Sequence, residues 1–416
     1  MRSSAPQPVI TVLPTGLKVV CRQCPGAEVE YCGAVVKVGS RDDGELSPGM
    51  AHFVEHTIFK GTRKRSSFHI INRMERVGGE LNAYTTKEET VVYTAAPRGN
   101  VARAMELLAD LATSSRFPAA ELDKEREVVE DEINSYLDTP SEAVYDDFED
   151  LIFAGTPLGH NILGTSEALA TFDSDMCQRY LSRWYTTANM WVFYYVPASP
   201  QRVLPIVSRC FEALPQAEAE HHSIDICATV ASRQPFSTFK RADTHQAHTV
   251  MGAVTGGLYA PGRYPMALLT NILGGPGMNS LLNVELREKR GLVYSVDASS
   301  SLLSDCGLFT IYFGCDPADQ QRCEEIVRKQ IEQVAAGCIT AKQLQAAKKQ
   351  YIGQLAVASD NRESVAIATG RAAMYFPSVM PSSQVAERIN AVTTEQIMEA
   401  AAGISQMSML CLKGTI

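Results

Sequence analysis

His52, Glu55 and His56 are the side chains best placed by type and spacing to do chemistry together. They lie in the run Pro48-Gly49-Met50-Ala51-His52-Phe53-Val54-Glu55-His56-Thr57-Ile58-Phe59-Lys60-Gly61, whose apolar groups recur at helical spacing between a proline and a glycine. Residues three and four apart share a helix face. The two imidazoles therefore point the same way, with the carboxylate beside the second. Two imidazoles can hold a divalent metal ion, and an adjacent carboxylate can take a proton from water there, so the chemistry is hydrolysis. With eight His and 47 acidic residues among 416, chance supplies fewer than about 0.02 copies of this pattern. Two half-buried histidines on a core helix is the competing account; it would suit a lone histidine better than this five-residue pattern.

The order H-x-x-E-H inverts the H-E-x-x-H arrangement of zinc metalloproteases. A catalytic zinc needs a third protein ligand and one position left for water. The spacing predicts a helix over 118–137 with an apolar stripe of Leu122, Val129, Ile133 and Tyr136. Glu125 and Glu132 fall on or beside that stripe. A carboxylate facing a core is costly unless paired or metal-bound. Periodicity alone equally allows both to lie at a solvated edge among Glu121, Asp123, Lys124, Arg126, Glu127, Glu130 and Asp131.

Around these residues the pattern predicts an α+β chain. Strands are expected over 9–13, 17–22, 31–38, 80–86, 90–95 and 190–196, interleaved with helices over 48–59, 66–77, 100–114, 118–137, 141–154 and 173–184 and one after Pro200. In the helix 66–77, Phe68, Ile71, Met74 and Val77 are expected on one face. The second half repeats this order: strands over 248–254, 293–301, 307–313 and 407–412, with helices over 264–273, 280–290, 317–336, 340–359, 362–375 and 394–402. The expectation is two duplicated domains, each a mostly antiparallel sheet packed with helices: 1–215 with the histidines, a polar connector 216–236, and 237–416. No His follows His248, so the second domain cannot repeat the metal pattern.

Composition is that of a globular protein, 45% apolar and 20% charged. A net charge of −9 argues against nucleic acid as a partner and is compatible with peptides. No run of eighteen apolar residues exists, so no membrane span is expected. Residues 1–16 do not read as a secretory signal. Eleven scattered cysteines read as reduced core thiols, which predicts a cytoplasmic protein. The pair Cys21 and Cys24 has no second pair beside it and reads as structural. Gly274-Gly275-Pro276-Gly277 reads as a helix end and turn, Arg63-Lys64-Arg65 as a solvated loop, and His160, His221 and His222 as surface or packing residues.

The chain resembles the pitrilysin family of inverzincin zinc metallopeptidases (M16), in particular the branch holding mitochondrial processing peptidase and its small bacterial relatives. The resemblance rests on His52-x-x-Glu55-His56 with Glu132 farther along, Lys60-Gly61-Thr62, and Gly78-Gly79-Glu80-Leu81-Asn82-Ala83-Tyr84-Thr85. It extends through Glu125-Arg126-Glu127-Val128-Val129-Glu130-Asp131-Glu132-Ile133 and Leu286-Arg287-Glu288-Lys289-Arg290-Gly291-Leu292-Val293-Tyr294. It implies one Zn2+ per chain on His52, His56 and Glu132, with Glu55 as general base and Glu125 orienting a ligand histidine. It also implies that Arg287 and Tyr294 grip substrate near the cleaved bond, and that Asn82 and Ala83 lie on an edge strand that binds peptide. Each domain would be half of a clamshell. The activity implied is endopeptidase action on peptides or unfolded segments in a closed dimeric chamber. A homodimer is expected, the alternative being a heterodimer with a related subunit; a non-catalytic scaffold or peptide-binding subunit is the rival from another class.

Overall fold

Alternating apolar side chains build the first sheet. In Met190–Val196 (β6) every residue is buried. Met190, Val192, Tyr194 and Val196 enter one hydrophobic cluster, while Trp191, Phe193 and Tyr195 enter another on the opposite face. A strand apolar on both faces must be covered on both. The structure, a computed structural model, describes residues 7–44, 47–217, 226–231 and 233–414. His221 and His222 and most of the first half of the expected connector lie outside the described residues.

The chain forms two compact units. The first comprises 1–133, 160–222 and 359–381. Its strands are β1 (Val9–Val12), β2 (Lys18–Gln23), β3 (Val29–Val36), β4 (Glu80–Thr85), β5 (Thr90–Pro97) and β6, in the order β1-β2-β6-β3-β5-β4. One face carries α1 (Met50–Thr57), α2 (Ser67–Glu75), α3 (Val101–Ser114), most of α4 (Ala119–Leu137), α7 (Ser174–Trp184) and α8 (Pro200–Cys210). The short α6 (Ser166–Leu169) adds Leu169 to that cluster. The other face is covered by α13 (Arg362–Tyr375). A Cβ at Gly370 would sit 2.6 Å from the Phe193 ring, so glycine is what lets this helix lie flat on β6.

The second unit comprises 134–159, 223–358 and 382–416. Its strands are β7 (Ser237–Arg241), β8 (Ala247–Thr255), β9 (Val293–Leu302), β10 (Gly307–Cys315) and β11 (Ser408–Lys413), in the order β7-β11-β8-β10-β9. Its larger core receives α10 (Arg263–Gly274), α11 (Gln320–Ala335), α12 (Ala341–Ala358) and α15 (Thr394–Gly403), and α14 (Ser382–Asn390) packs on α10 and α12. The opposite face takes α5 (Pro140–Ile152) through Val144, Phe148 and Ile152, with α9 (Ile226–Ala231) beside it. The strand orders of the two units correspond from β2 and β7 onward, including the parallel pairs β2/β6 and β7/β11. The α+β duplication expected from the pattern is the observed fold.

Four expectations are corrected. The units are not consecutive: α5, from the first half, belongs to the second unit, and α13, from the second half, to the first. In α2 the buried pair is Ile70 and Met74, while Phe68 and Ile71 are 63% and 43% exposed; the apolar residues there outnumber the width of the face that packs. The helix expected over 280–290 is present but is corrected in form, being π-helical over Asn283–Glu288. Strand β7 and helix α14 were not anticipated. β7 is an edge strand whose side chains are mostly exposed, so its sequence carries no alternation to read.

Candidate metal centre

The first unit positions the metal-binding pattern. Helix α1 buries Met50, Ala51, Phe53 and Val54, which turns His52, Glu55 and His56 onto its other flank. The imidazole centroids are 4.5 Å apart. From α4, Leu122, Glu125 and Val129 are buried, and one turn beyond Val129 the Glu132 carboxylate reaches both rings. Its Oε2 lies 3.7 Å from Nε2 of His52 and 3.5 Å from Nε2 of His56. These three residues offer ligand atoms within 4.8 Å of one another, the one such group of His, Cys, Asp and Glu among the described residues. Ligands about 2.0–2.2 Å from a tetrahedral zinc stand roughly 3.3–3.6 Å from each other, so two imidazole nitrogens and one carboxylate oxygen here fit that ion.

The surrounding charges tune each group. Burial, reinforced by the neighbouring His56, pushes the His52 imidazole down to about 3, so it stays neutral and able to ligate. For His56, burial pulls downward, but the Glu125 hydrogen bond and the charges of Glu55 and Glu132 outweigh it and raise the ring. Glu125 Oε1 lies 3.0 Å from Nδ1 of His56, the nitrogen opposite the one facing Glu132. A carboxylate in that position can orient a ligand histidine. Despite burial it is held below the usual carboxylate range by His56 and Lys60. Burial lifts the Glu55 carboxyl to about 7, against the pull of the His56 charge. Thr85 Oγ1 donates to Glu55 Oε2 at 3.4 Å.

Comparisons with known proteins identify the family. Residues 18–166 match the family profile described as Insulinase (Peptidase family M16), and residues 171–351 match Peptidase M16 inactive domain. An uncharacterized zinc protease of Streptomyces coelicolor is 30% identical over 396 residues, covering 94% of this chain and 86% of its own length. YmxG, an uncharacterized zinc protease of Bacillus subtilis, is 30% identical over 385 residues, 92% of each chain. The chain belongs to peptidase family M16. As an enzyme it is a metallopeptidase of that family. Among solved structures, a peptidase M16 inactive domain from Pseudomonas fluorescens shares the fold with a TM-score of 0.89 at 18% identity, each chain covered to 98%. A protease from Helicobacter pylori does so with a TM-score of 0.88 at 20% identity, covering 98% of this chain and all of its own.

Asn82 and Ala83 of this M16 chain lie on β4, the edge strand of the first sheet. Leu81 and Ala83 pack against the core face and Tyr84 against the other. Helix α1 packs on β4. Arg287 lies in the π-helical turn and Tyr294, 63% exposed, on β9, both in the second unit. Cys21 is buried, and burial raises its thiol to about 11, in keeping with a structural role.

Three supporting residues were not found from the sequence. Lys60 Nζ lies 2.5 Å from Glu125 Oε2, so the Glu125 carboxylate is held from both sides. Thr85 meets Glu55 as described. Asp43 accepts hydrogen bonds from the backbone N–H of Gly49 and Ala51, each at 2.8 Å. Gly49 caps α1 at φ 92°, and a Cβ there would lie 2.6 Å from the Leu163 carbonyl oxygen. The cap must therefore be glycine, which has no side chain to bond the helix start, and Asp43 does so from outside. Burial raises the Asp43 carboxyl; His160, whose Nε2 is 2.9 Å from the Ser40 carbonyl oxygen, stands 3.7 Å from it. Asp43 lies six residues before the N-cap Gly49 and carries no motif, so the sequence offered no signal for it.

Proposed function

We propose that the chain is a zinc-dependent endopeptidase acting on peptides or unfolded segments, with one Zn2+ held by His52, His56 and Glu132. The observation that carries this is the approach of both Nε2 atoms to one Glu132 oxygen at 3.7 and 3.5 Å. When bound, zinc supplies Lewis acidity, bringing the pKa of water to about 7 and polarising the scissile carbonyl. Glu55 takes the proton of the attacking water and returns it to the leaving amine. Its carboxyl, lifted to about 7, sits where a group can both accept and give. Glu125 and Lys60 keep His56 oriented. The substrate backbone adds to the free edge of β4 at Asn82 and Ala83, a mode that reads main chain more than side chains. Arg287 and Tyr294 are assigned, from the family resemblance, as donors to the substrate carbonyl.

The zinc proteases named among the relatives support the choice of metal. A working homodimer that encloses the peptide is part of the proposal, with a related partner subunit as the alternative that light scattering of the purified chain distinguishes. Buried thiols such as Cys21, Cys32, Cys177 and Cys411 support a reducing, cytoplasmic setting. No helix among the described residues is long and apolar enough to cross a membrane. The deciding experiment is Glu55→Gln, assayed on a peptide library by mass spectrometry. Zinc content stays at that of the wild type while turnover falls by about 100-fold or more. Wild-type turnover in that variant, with zinc intact, removes Glu55 from the role.

A further inference from the structure

A cavity in the first unit is lined by none of the metal-site residues, and its lining is cationic. The pocket, of about 270 Å³, is bordered by Lys64, Arg65, Arg73, Arg76 and Arg103, with His69 and Asn72 completing the wall. No apolar side chain lines it. Organic ligands usually occupy pockets of about 300–1,000 Å³ walled mainly by apolar groups; this one is smaller and suits a compact anion. Its charge runs against the chain as a whole, whose net charge is −9.

The cations are held in place rather than merely adjacent. The Arg65 guanidinium is anchored by Glu106 at 2.7 Å and by Asp110. Arg73 reaches Glu106 at 3.2 Å. Arg103 Nη1 donates to the Arg73 carbonyl oxygen at 3.0 Å. Five cations thus face two carboxylates, leaving a surplus of three positive charges. Lys64 and Arg76 have no ion pair among the described residues, and the buried Nε of Arg73 has no acceptor. Helical spacing puts His69, Asn72, Arg73 and Arg76 along one flank at the end of α2, while α2 packs on α3, which brings Arg103. The Arg63-Lys64-Arg65 segment that reads as a solvated loop from sequence contributes two walls of the pocket.

We propose that this pocket binds a compact polyphosphate group, with Lys64 and Arg76 supplying charge and the fixed guanidinium of Arg73 supplying directed donors. Planar guanidinium forks match phosphate oxygens, and several in one cavity select a multiply charged anion over a single carboxylate. The chemistry is shared by free inorganic pyrophosphate and by the phosphates of a nucleotide. Neither source involves the hydrolytic residues.

The test is equilibrium dialysis of the zinc-loaded full chain with radiolabelled inorganic pyrophosphate. Zinc is assayed in parallel so that metal stripped by the ligand is not mistaken for binding. One pyrophosphate per chain is expected, with affinity falling as sodium chloride rises. The exposed pair Lys64→Gln plus Arg76→Gln leaves the fold intact and weakens binding by about tenfold or more; Arg73→Gln does so as well. An ATP arm and an adenosine arm separate the sources: ATP binding through its phosphates is lost in the same variants, and adenosine does not bind. The proposal fails if pyrophosphate does not bind, if the double variant binds it as the wild type does, or if only a Glu-rich peptide occupies the pocket.

Discussion

His52 and His56 are one helical turn apart, yet their surroundings drive them in opposite directions, and the metal-free protein should display it. Burial holds His52 neutral down to about 3, while Glu125 and its neighbours raise His56 above 6.5. On acidification below 6.5 the unfolded chain protonates at His52 but the folded chain does not, so stability from this residue is lost as pH falls toward 3. His56 has the opposite sign: its contribution is complete below 6.5 and disappears as pH rises through its higher folded value. Nitrogen-detected imidazole NMR of the chelator-treated protein should show His56 titrating first, above 6.5, with His52 silent through the mildly acidic range; the reverse order would remove Glu125 as the partner of His56. A second expectation concerns that partner. Glu125→Gln should weaken zinc binding by about 10–100-fold, read by competition with a chromophoric chelator, because the amide leaves both His56 and Lys60 without a charged acceptor. The histidines and Glu55 were legible because helix periodicity converts spacing into a shared face. That Glu132 rather than Glu125 lies near both Nε2 atoms was not, since both lie near one stripe and only the depth of α4 in the core separates a buried Glu125 from a more exposed Glu132.

Helix α1 is short, and its start depends on a residue outside it. The N-cap Gly49 is forced by the close approach of Leu163 and so offers no side chain to bond the helix start, and the Asp43 carboxylate takes both N–H bonds. Asp43→Asn keeps one acceptor but turns an amide toward the other N–H. The expected loss is about 1–2 kcal/mol in urea unfolding, together with weaker zinc binding, since His52 begins one residue after Ala51. Unchanged zinc affinity in a folded Asp43→Asn protein would show that the cap does not set the ligand helix. At this scale most elements were readable from sequence, because strands such as β6 and β10 and helices such as α3 and α11 carry their burial in their pattern. The misreadings have a common cause. β7 and α2 present side chains whose exposure is decided by what packs over them, and Phe68 and Ile71 face outward although their spacing alone would put them in the core.

At the scale of the whole chain, the duplication was legible as repeated order, but the exchange of α5 and α13 between the halves was not, because a helix pattern does not name the sheet it covers. The exchange has a consequence for dissection. A fragment joining residues 7–133 directly to 160–217, which omits α5 because its Val144, Phe148 and Ile152 pack in the second unit, contains all six strands of the first sheet yet lacks α13, the cover for Val20, Val35, Val91, Phe193 and Trp191. With that apolar face bare, the fragment should aggregate or bind a hydrophobic dye strongly. Joining residues 359–381 to it through a flexible linker should restore a soluble, cooperative fold, because Ala366, Ala373 and Met374 then return to the face and Gly370 lets the helix settle on Phe193. Replacing Gly370 by Val in that joined fragment should undo the rescue, since even a Cβ meets the ring at 2.6 Å and the helix must lift. Denaturant melts of the three fragments decide the matter. A well-behaved, dye-silent fragment without 359–381 would mean that the first sheet does not need its helix from the second half.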